Sequence, residues 1–195
     1  MASGRIIHEP SVTSLIVANR GEDCNGRAVN VCYTQTMKTL ILYTTKHGFT
    51  QQCVEYLAQQ LPQGVTAVDI GKDTDVDVAK FDQVIMGGSV YMMKMSRQLK
   101  QFARQNAAVL AQKQLALFVC CMTPDSADSF MQECFPQEAY EAAKLRVNFG
   151  GALNAEKLNL LERTVTGVAT AGRSDKAQGV LWENVDAVVA LMSVE

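Results

Sequence analysis

The sequence predicts an α/β domain built on a doubly wound, five-stranded parallel sheet in the order 2-1-3-4-5, with helices on both faces. Three observations point there. From Met37 onward, short apolar runs of strand length alternate with stretches of helical period. The runs Leu40–Tyr43 and Leu115–Met122 are continuously apolar, as strands covered on both faces require. The first run ends in a hydroxyl-rich turn with one glycine, and a helical pattern starts directly after it, at Thr50.

The elements follow in order. Lys38–Thr44 reads as strand one. Thr50–Leu61 reads as a helix, with Cys53, Val54, Leu57, Ala58 and Leu61 on one face, and Pro62 and Gly64 end it. Thr66–Ile70 is a short strand two, and Asp73–Lys80 an acidic connector with a turn or two of helix. Phe81–Val90 carries strand three, centred on Val84–Met86 and followed by Gly87-Gly88-Ser89. Ser96 suits an N-cap for a helix whose apolar face is Leu99, Phe102, Ala103, Val109 and Leu110. Leu115–Met122 is strand four, and Pro124 and Asp125 turn the chain. Ser126–Lys144 reads as helix broken at Pro136, Leu145–Leu153 as strand five, Ala155–Ala169 as helix and Ala171–Gln178 as a polar loop. Trp182–Met192 closes the fold with Val185, Val188, Val189 and Met192 on one face.

Residues 1–36 lack a sustained period and hold scattered glycines and charges. They are expected to be a disordered or non-native N-terminal extension, with the functional domain spanning 37–195. At 195 residues, 48% hydrophobic and 19% charged, the chain can build one large core. A net charge of −2 argues against a nucleic-acid partner bound through a basic surface. No apolar run approaches the ~18 residues of a membrane helix, and Ser14–Ala18 is too short for a signal-peptide core. The expectation is a soluble, cytoplasmic protein without an integral membrane segment. The six cysteines form no C-x-x-C pair, which suits reduced core thiols. Asp73-Thr-Asp75-Val-Asp77 lacks the rest of a calcium loop and reads as a solvated connector. Nucleotide-binding and hydrolase motifs fail: Gly87-Gly88-Ser89-Val90 begins like a nucleophile elbow, but Tyr91 stands where its last glycine belongs.

A strand, a polar turn and a helix N-terminus together offer backbone N–H groups to a phosphate. Here the turn is Thr45-Lys46-His47-Gly48-Phe49-Thr50. This string resembles the phosphate loop of the flavodoxin family, Thr-x-Thr-Gly-x-Thr. Thr45, Gly48 and Thr50 match, and His47 replaces the middle hydroxyl. The resemblance covers Met37 to the C-terminus and implies a carrier of flavin mononucleotide (FMN), with the phosphate on the Thr45 and Thr50 hydroxyls and the amides from Lys46 to Thr50. It places a second loop, Ser89, Val90 and Tyr91 onward, along the isoalloxazine ring, with Tyr91 available to stack. Met92, Met93 and Met95 there make soft contacts with the ring or pack beneath the next helix. Backbone groups of a third loop, Cys121–Asp125, would flank the pyrimidine end, with Met122 and Thr123 as its contact residues and Thr123 or Asp125 free to cap the following helix.

Flavodoxins often carry a glycine in the second loop whose peptide flips on reduction. None stands between Ser89 and Ser96, which favours two-electron over one-electron chemistry. The strings Met37–Tyr43, Gly87-Gly88-Ser89 and Gly151-Ala-Leu153 look closer to the flavodoxin-type, menaquinone-dependent protoporphyrinogen oxidases, whose long basic and aromatic insertion after strand five is missing. The resemblance therefore implies an electron carrier serving partner redox proteins or a small-molecule acceptor, with no side-chain acid or base. The alternatives are an oxidase- or quinone reductase-like flavoenzyme and a flavin-free interaction module.

Overall fold

The computed structural model describes residues 5–7, 15–22, 28–35, 37–62, 64–151 and 179–193. Five parallel strands form the sheet: β4 (Thr39–Thr44), β5 (Val65–Asp69), β6 (Gln83–Ser89), β7 (Gln114–Cys120) and β8 (Leu145–Asn148). Their spatial order is β5-β4-β6-β7-β8, which is the predicted 2-1-3-4-5 order. Before them in the chain, β1 (Arg5–Ile7) pairs antiparallel with β5 along the outer edge, Arg5 opposite Val68. A separate hairpin joins β2 (Leu15–Glu22) to β3 (Ala28–Gln35). The signal for β3 is a short alternation, Val29, Val31 and Tyr33 against Asn30, Cys32 and Thr34.

Two cores result from the alternation of side chains along each strand. Leu40 and Leu42 of β4 face one side, with Val84 and Met86 of β6 and Leu115 and Leu117 of β7. On that side lie α2 (Arg97–Gln105), α3 (Ala107–Leu110), α4 (Ala127–Cys134) and α5 (Gln137–Ala142), contributing Leu99, Phe102, Leu110, Phe130, Met131 and Ala139. Ile41 and Tyr43 face the other side, under α1 (Phe49–Gln60) and α6 (Trp182–Ser193). Val54, Leu57, Val185 and Val188 are fully buried there, and the rings of Phe118 and Phe149 stack at 4.5 Å. Each such aliphatic side chain contributes roughly 1.5–3 kcal/mol by leaving water.

Several boundaries differ from expectation. The helix after Ser96 breaks at Asn106, whose amide and Nδ2 both donate to the Phe102 carbonyl, at 3.1 and 2.9 Å. Ser96 occupies the N-cap position without a side-chain cap bond. Pro136 does separate two helices. The acidic connector shapes its own turns: Asp73 Oδ1 accepts from the Asp75 amide, and Asp77 Oδ1 from the Ala79 amide at the start of a 3₁₀ turn, Val78–Lys80. Strand five is shorter than read. It stops at Asn148 because Gly150, at φ 87°, turns the chain toward an antiparallel bridge with Val180. The helix expected over 155–169 and the loop over 171–178 lie outside the described residues. Among the described residues, no helix is long and apolar enough to cross a membrane.

Candidate functional site

The carboxyl ends of β4, β6, β7 and β8 bring four loops to one edge of the sheet. Register fixes their heights: Thr44 lies opposite Gly88, Ser89 opposite Cys120, and Val119 opposite Asn148. The order of strands reverses between β4 and β6, the usual place for a ligand crevice in such sheets.

The first loop runs from Thr45 to the start of α1. Gly48 stands at the N-cap position with φ 89° and ψ −6°, a left-handed conformation that suits glycine, and its amide donates to Thr45 Oγ1 at 3.1 Å. The helix starts at Phe49, one residue before the position read from the sequence, so Thr50 is its second residue and not its cap. The amides of Phe49, Thr50 and Gln51 therefore have no intrahelical acceptor. Thr50 is 0% exposed, and its hydroxyl has no nitrogen or oxygen partner, only the Cys120 thiol, a weak acceptor, beside it. The buried Thr44 hydroxyl, which lies just outside the Thr-x-Thr-Gly-x-Thr string, also lacks a partner. An uncompensated buried hydroxyl costs about 1–3 kcal/mol, so two of them around a left-handed glycine mark a place where a polar ligand would be accommodated.

Two glycines in β6 let this end of the sheet close. A Cβ on Gly87 would lie 2.1 Å from the Phe118 carbonyl oxygen, and one on Gly88 would lie 2.4 Å from Thr44 Oγ1. At Gly87 the obstacle is the backbone of β7, so no larger side chain fits without moving that strand; at Gly88 it is first the Thr44 side chain.

The second loop begins at Ser89, the last residue of β6, and Val90, whose amide donates to the Cys120 carbonyl at 3.0 Å. Tyr91 and Lys94 then exchange backbone hydrogen bonds of 2.9 and 3.1 Å, closing a two-residue turn. The residues at its tip, Met92 and Met93, have φ of 48° and 62° and are 64% and 62% exposed. They do not pack beneath α2; only Met95 of the loop methionines joins that core. The first and second loops touch through Tyr91. Lys46 Nζ stands 3.1 Å from the centre of the Tyr91 ring, and the His47 ring meets it edge-on at 5.9 Å.

The third loop leaves β7 at Cys121. Met122 and Thr123 are half-buried, and the Thr123 carbonyl accepts from Cys121 Sγ at 3.4 Å and from the Ser126 amide. Thr123 makes no side-chain cap bond to the 3₁₀ turn that follows, Pro124–Ser126. Asn148, absent from the sequence reading, bonds to this loop through its side chain. Its only sequence signal is a carboxamide in an otherwise strand-like run just before Gly150-Gly151.

Cys53, Cys120, Cys121 and Cys134 are buried and free. Burial pushes the Cys120 thiol up, and its hydrogen-bonded neighbour Cys53 adds to that; the same bond lowers Cys53. Burial raises Cys121 and takes Cys134 up to about 12. The raised Cys120, Cys121 and Cys134 are held as thiols, so none of these three is a ready nucleophile. Among the described residues, no group of three His, Cys, Asp or Glu side chains could hold a metal ion.

Residues 40–178, more than half of the chain, match the model of a flavodoxin domain. A sequence search of curated proteins found no match. Among solved structures, the chain is similar to oxidised flavodoxin 1 from Bacillus cereus, at 13% identity over 71% of this chain and 99% of that one, with a TM-score of 0.43. Flavodoxin 2 from the same organism gives 18% identity, 70% and 99% coverage and a TM-score of 0.48. A flavoprotein from Lactobacillus acidophilus, solved in complex with FMN, gives 15%, 71%, 100% and 0.38. At these scores the individual likenesses carry no weight of their own; the domain match does.

Proposed function

Because the chain belongs to the flavodoxin family, we propose that it binds FMN at the carboxyl edge of its sheet and carries electrons between partner redox proteins. The observation that carries this reading is the pair of buried hydroxyls without a nitrogen or oxygen partner, Thr44 and Thr50, beside the left-handed Gly48. Thr45, Thr50 and the amides from Lys46 to Thr50 would hold the phosphate, and the positive end of α1 favours its charge. Lys46 adds a cation next to the loop. Ser89, Val90 and Tyr91 would line the ring, with Met122 and Thr123 at its far end. When bound, the flavin supplies the redox chemistry; the chain supplies binding, orientation and exclusion of water.

A flavoenzyme that reduces or oxidises a small molecule is the second reading. It is favoured by the lack of a glycine between Ser89 and Ser96, where left-handed backbone already falls on Met92 and Met93.

The test is an absorbance spectrum of the full chain after incubation with FMN and desalting. Retained bands at roughly 370 and 450 nm are expected of a flavin cofactor. Stepwise reduction then separates a one-electron shuttle from a two-electron oxidoreductase. A colourless protein overturns both readings in favour of a flavin-free interaction module. Thr45→Ala combined with Thr50→Ala should weaken FMN binding, read by flavin fluorescence. Unchanged affinity would remove the phosphate assignment.

A further inference from the structure

We propose that Asn148 is a positioning residue for the ring end of the flavin site, and that its side chain acts as a surrogate backbone unit holding the third loop in place. The role toward flavin rests on the FMN reading above; the clamp itself is a feature of the chain.

The β7–β8 ladder runs out at this point. Val119 pairs with Asn148, and the Phe149 amide still donates to the Val119 carbonyl at 2.8 Å. The next ladder bond would run from the Cys121 amide to the Phe149 carbonyl, but that carbonyl accepts from the Leu181 amide, and the chain turns away at Gly150. The Asn148 carboxamide fills the gap. Its Oδ1 accepts from the Cys121 amide at 3.2 Å and from the Gly150 amide at 3.0 Å. Its Nδ2 donates to the Cys121 carbonyl at 3.2 Å. One side chain thus binds both backbone groups of Cys121, as a neighbouring strand would. The orientation of the carboxamide is fixed by these partners, because two donors face one atom and an acceptor faces the other.

Two further contacts stiffen the arrangement. Asn184 of α6 donates to the Asn148 carbonyl at 2.7 Å. Gly151 lies so close to the loop that a Cβ there would stand 3.0 Å from both the Cys121 carbonyl carbon and the Met122 nitrogen. The consequence is a division of labour within the loop. The polar backbone of Cys121 is taken up by Asn148, so donors toward a ligand come from Met122 and Thr123. Their direction is set by Asn148, which need not touch the ligand.

The test compares Asn148→Asp, Gly151→Ala and Thr50→Val with wild type, using FMN, riboflavin (which lacks the phosphate) and amide hydrogen exchange. Asn148→Asp keeps the shape and Oδ1 but turns the donor into an acceptor facing the Cys121 carbonyl. It should speed Cys121 amide exchange and weaken both flavins by a similar factor, about tenfold for one such bond. Gly151→Ala leaves Asn148 intact, displaces the same peptide, and should act in the same direction. Thr50→Val should weaken FMN and spare riboflavin. If wild type binds riboflavin and Asn148→Asp binds it equally well, the positioning role is overturned while the FMN reading stands. Weakening of FMN alone by Asn148→Asp also overturns it. A wild-type chain that binds neither flavin overturns the reading and the flavin role together. Unchanged Cys121 exchange in a folded Asn148→Asp chain overturns the clamp itself, whatever the flavin does.

Discussion

The first and second loops both need left-handed backbone, and they meet the need in opposite ways. In the first, the positive φ falls on Gly48, where it costs little. In the second, it falls on Met92 and Met93 in succession. Each non-glycine residue held there costs roughly 1–2 kcal/mol. One loop is relaxed in its backbone and flanked by two buried hydroxyls, Thr44 and Thr50, that lack a nitrogen or oxygen partner. The other is satisfied in its hydrogen bonds, through the Tyr91–Lys94 pair, and strained in its backbone. A ligand that supplied hydrogen-bond acceptors would therefore relieve the first loop. Strain in the second is relieved only by a change of backbone conformation.

The largest effect should come from β6, the strand that leads into the second loop. Gly87→Ala drives a Cβ into the Phe118 carbonyl oxygen and ring, and is expected to cost about 3 kcal/mol or more in denaturant unfolding. A smaller cost would mean that β6 and β7 can separate freely. Next is Thr50→Val, which separates the two kinds of cost within the first loop. Removing a buried hydroxyl with no nitrogen or oxygen partner should raise the stability of the flavin-free chain by up to about 1 kcal/mol while weakening FMN about tenfold. Thermal melts and fluorescence titration read the two signs separately; a loss of both would mean that the hydroxyl has a structural partner. For the second loop, Met92→Gly with Met93→Gly should stabilise the chain by about 1 kcal/mol, strain relieved less the entropy glycine adds to the unfolded state. Destabilisation would show that the two left-handed residues carry no strain. The smallest effect should be the tie between the loops. A double-mutant cycle of Lys46→Met and Tyr91→Leu is expected to give a coupling of about 0.5–1 kcal/mol from the cation over the ring.

Legibility in the sequence followed the range of the physics involved. Continuous apolar runs such as Leu115–Cys120 reveal central strands because both of their faces are covered. The face Cys53, Val54, Leu57 and Ala58 reveals α1 because helical period and burial coincide. The glycine of the first loop is visible because a left-handed cap calls for that residue type. What stayed hidden depends on partners far along the chain or on a conformation that no residue type announces. Asn148 has its function set by Cys121, 27 positions away. Met92 and Met93 look like packing residues until the Tyr91–Lys94 bonds fold them outward. The early end of β8 is written in Gly150, but only the bridge to Val180 shows which way the chain goes.

The three residues of β1 have a consequence beyond the fold they extend. They occupy the outer rim of β5, the flank on which a parallel sheet of this order would otherwise present a bare row of backbone donors and acceptors. A chain shortened to begin at Met37 would uncover that row from Val65 to Asp69. Such an open flank is a template for strands of other molecules, so the shortened chain should self-associate more readily as its concentration rises.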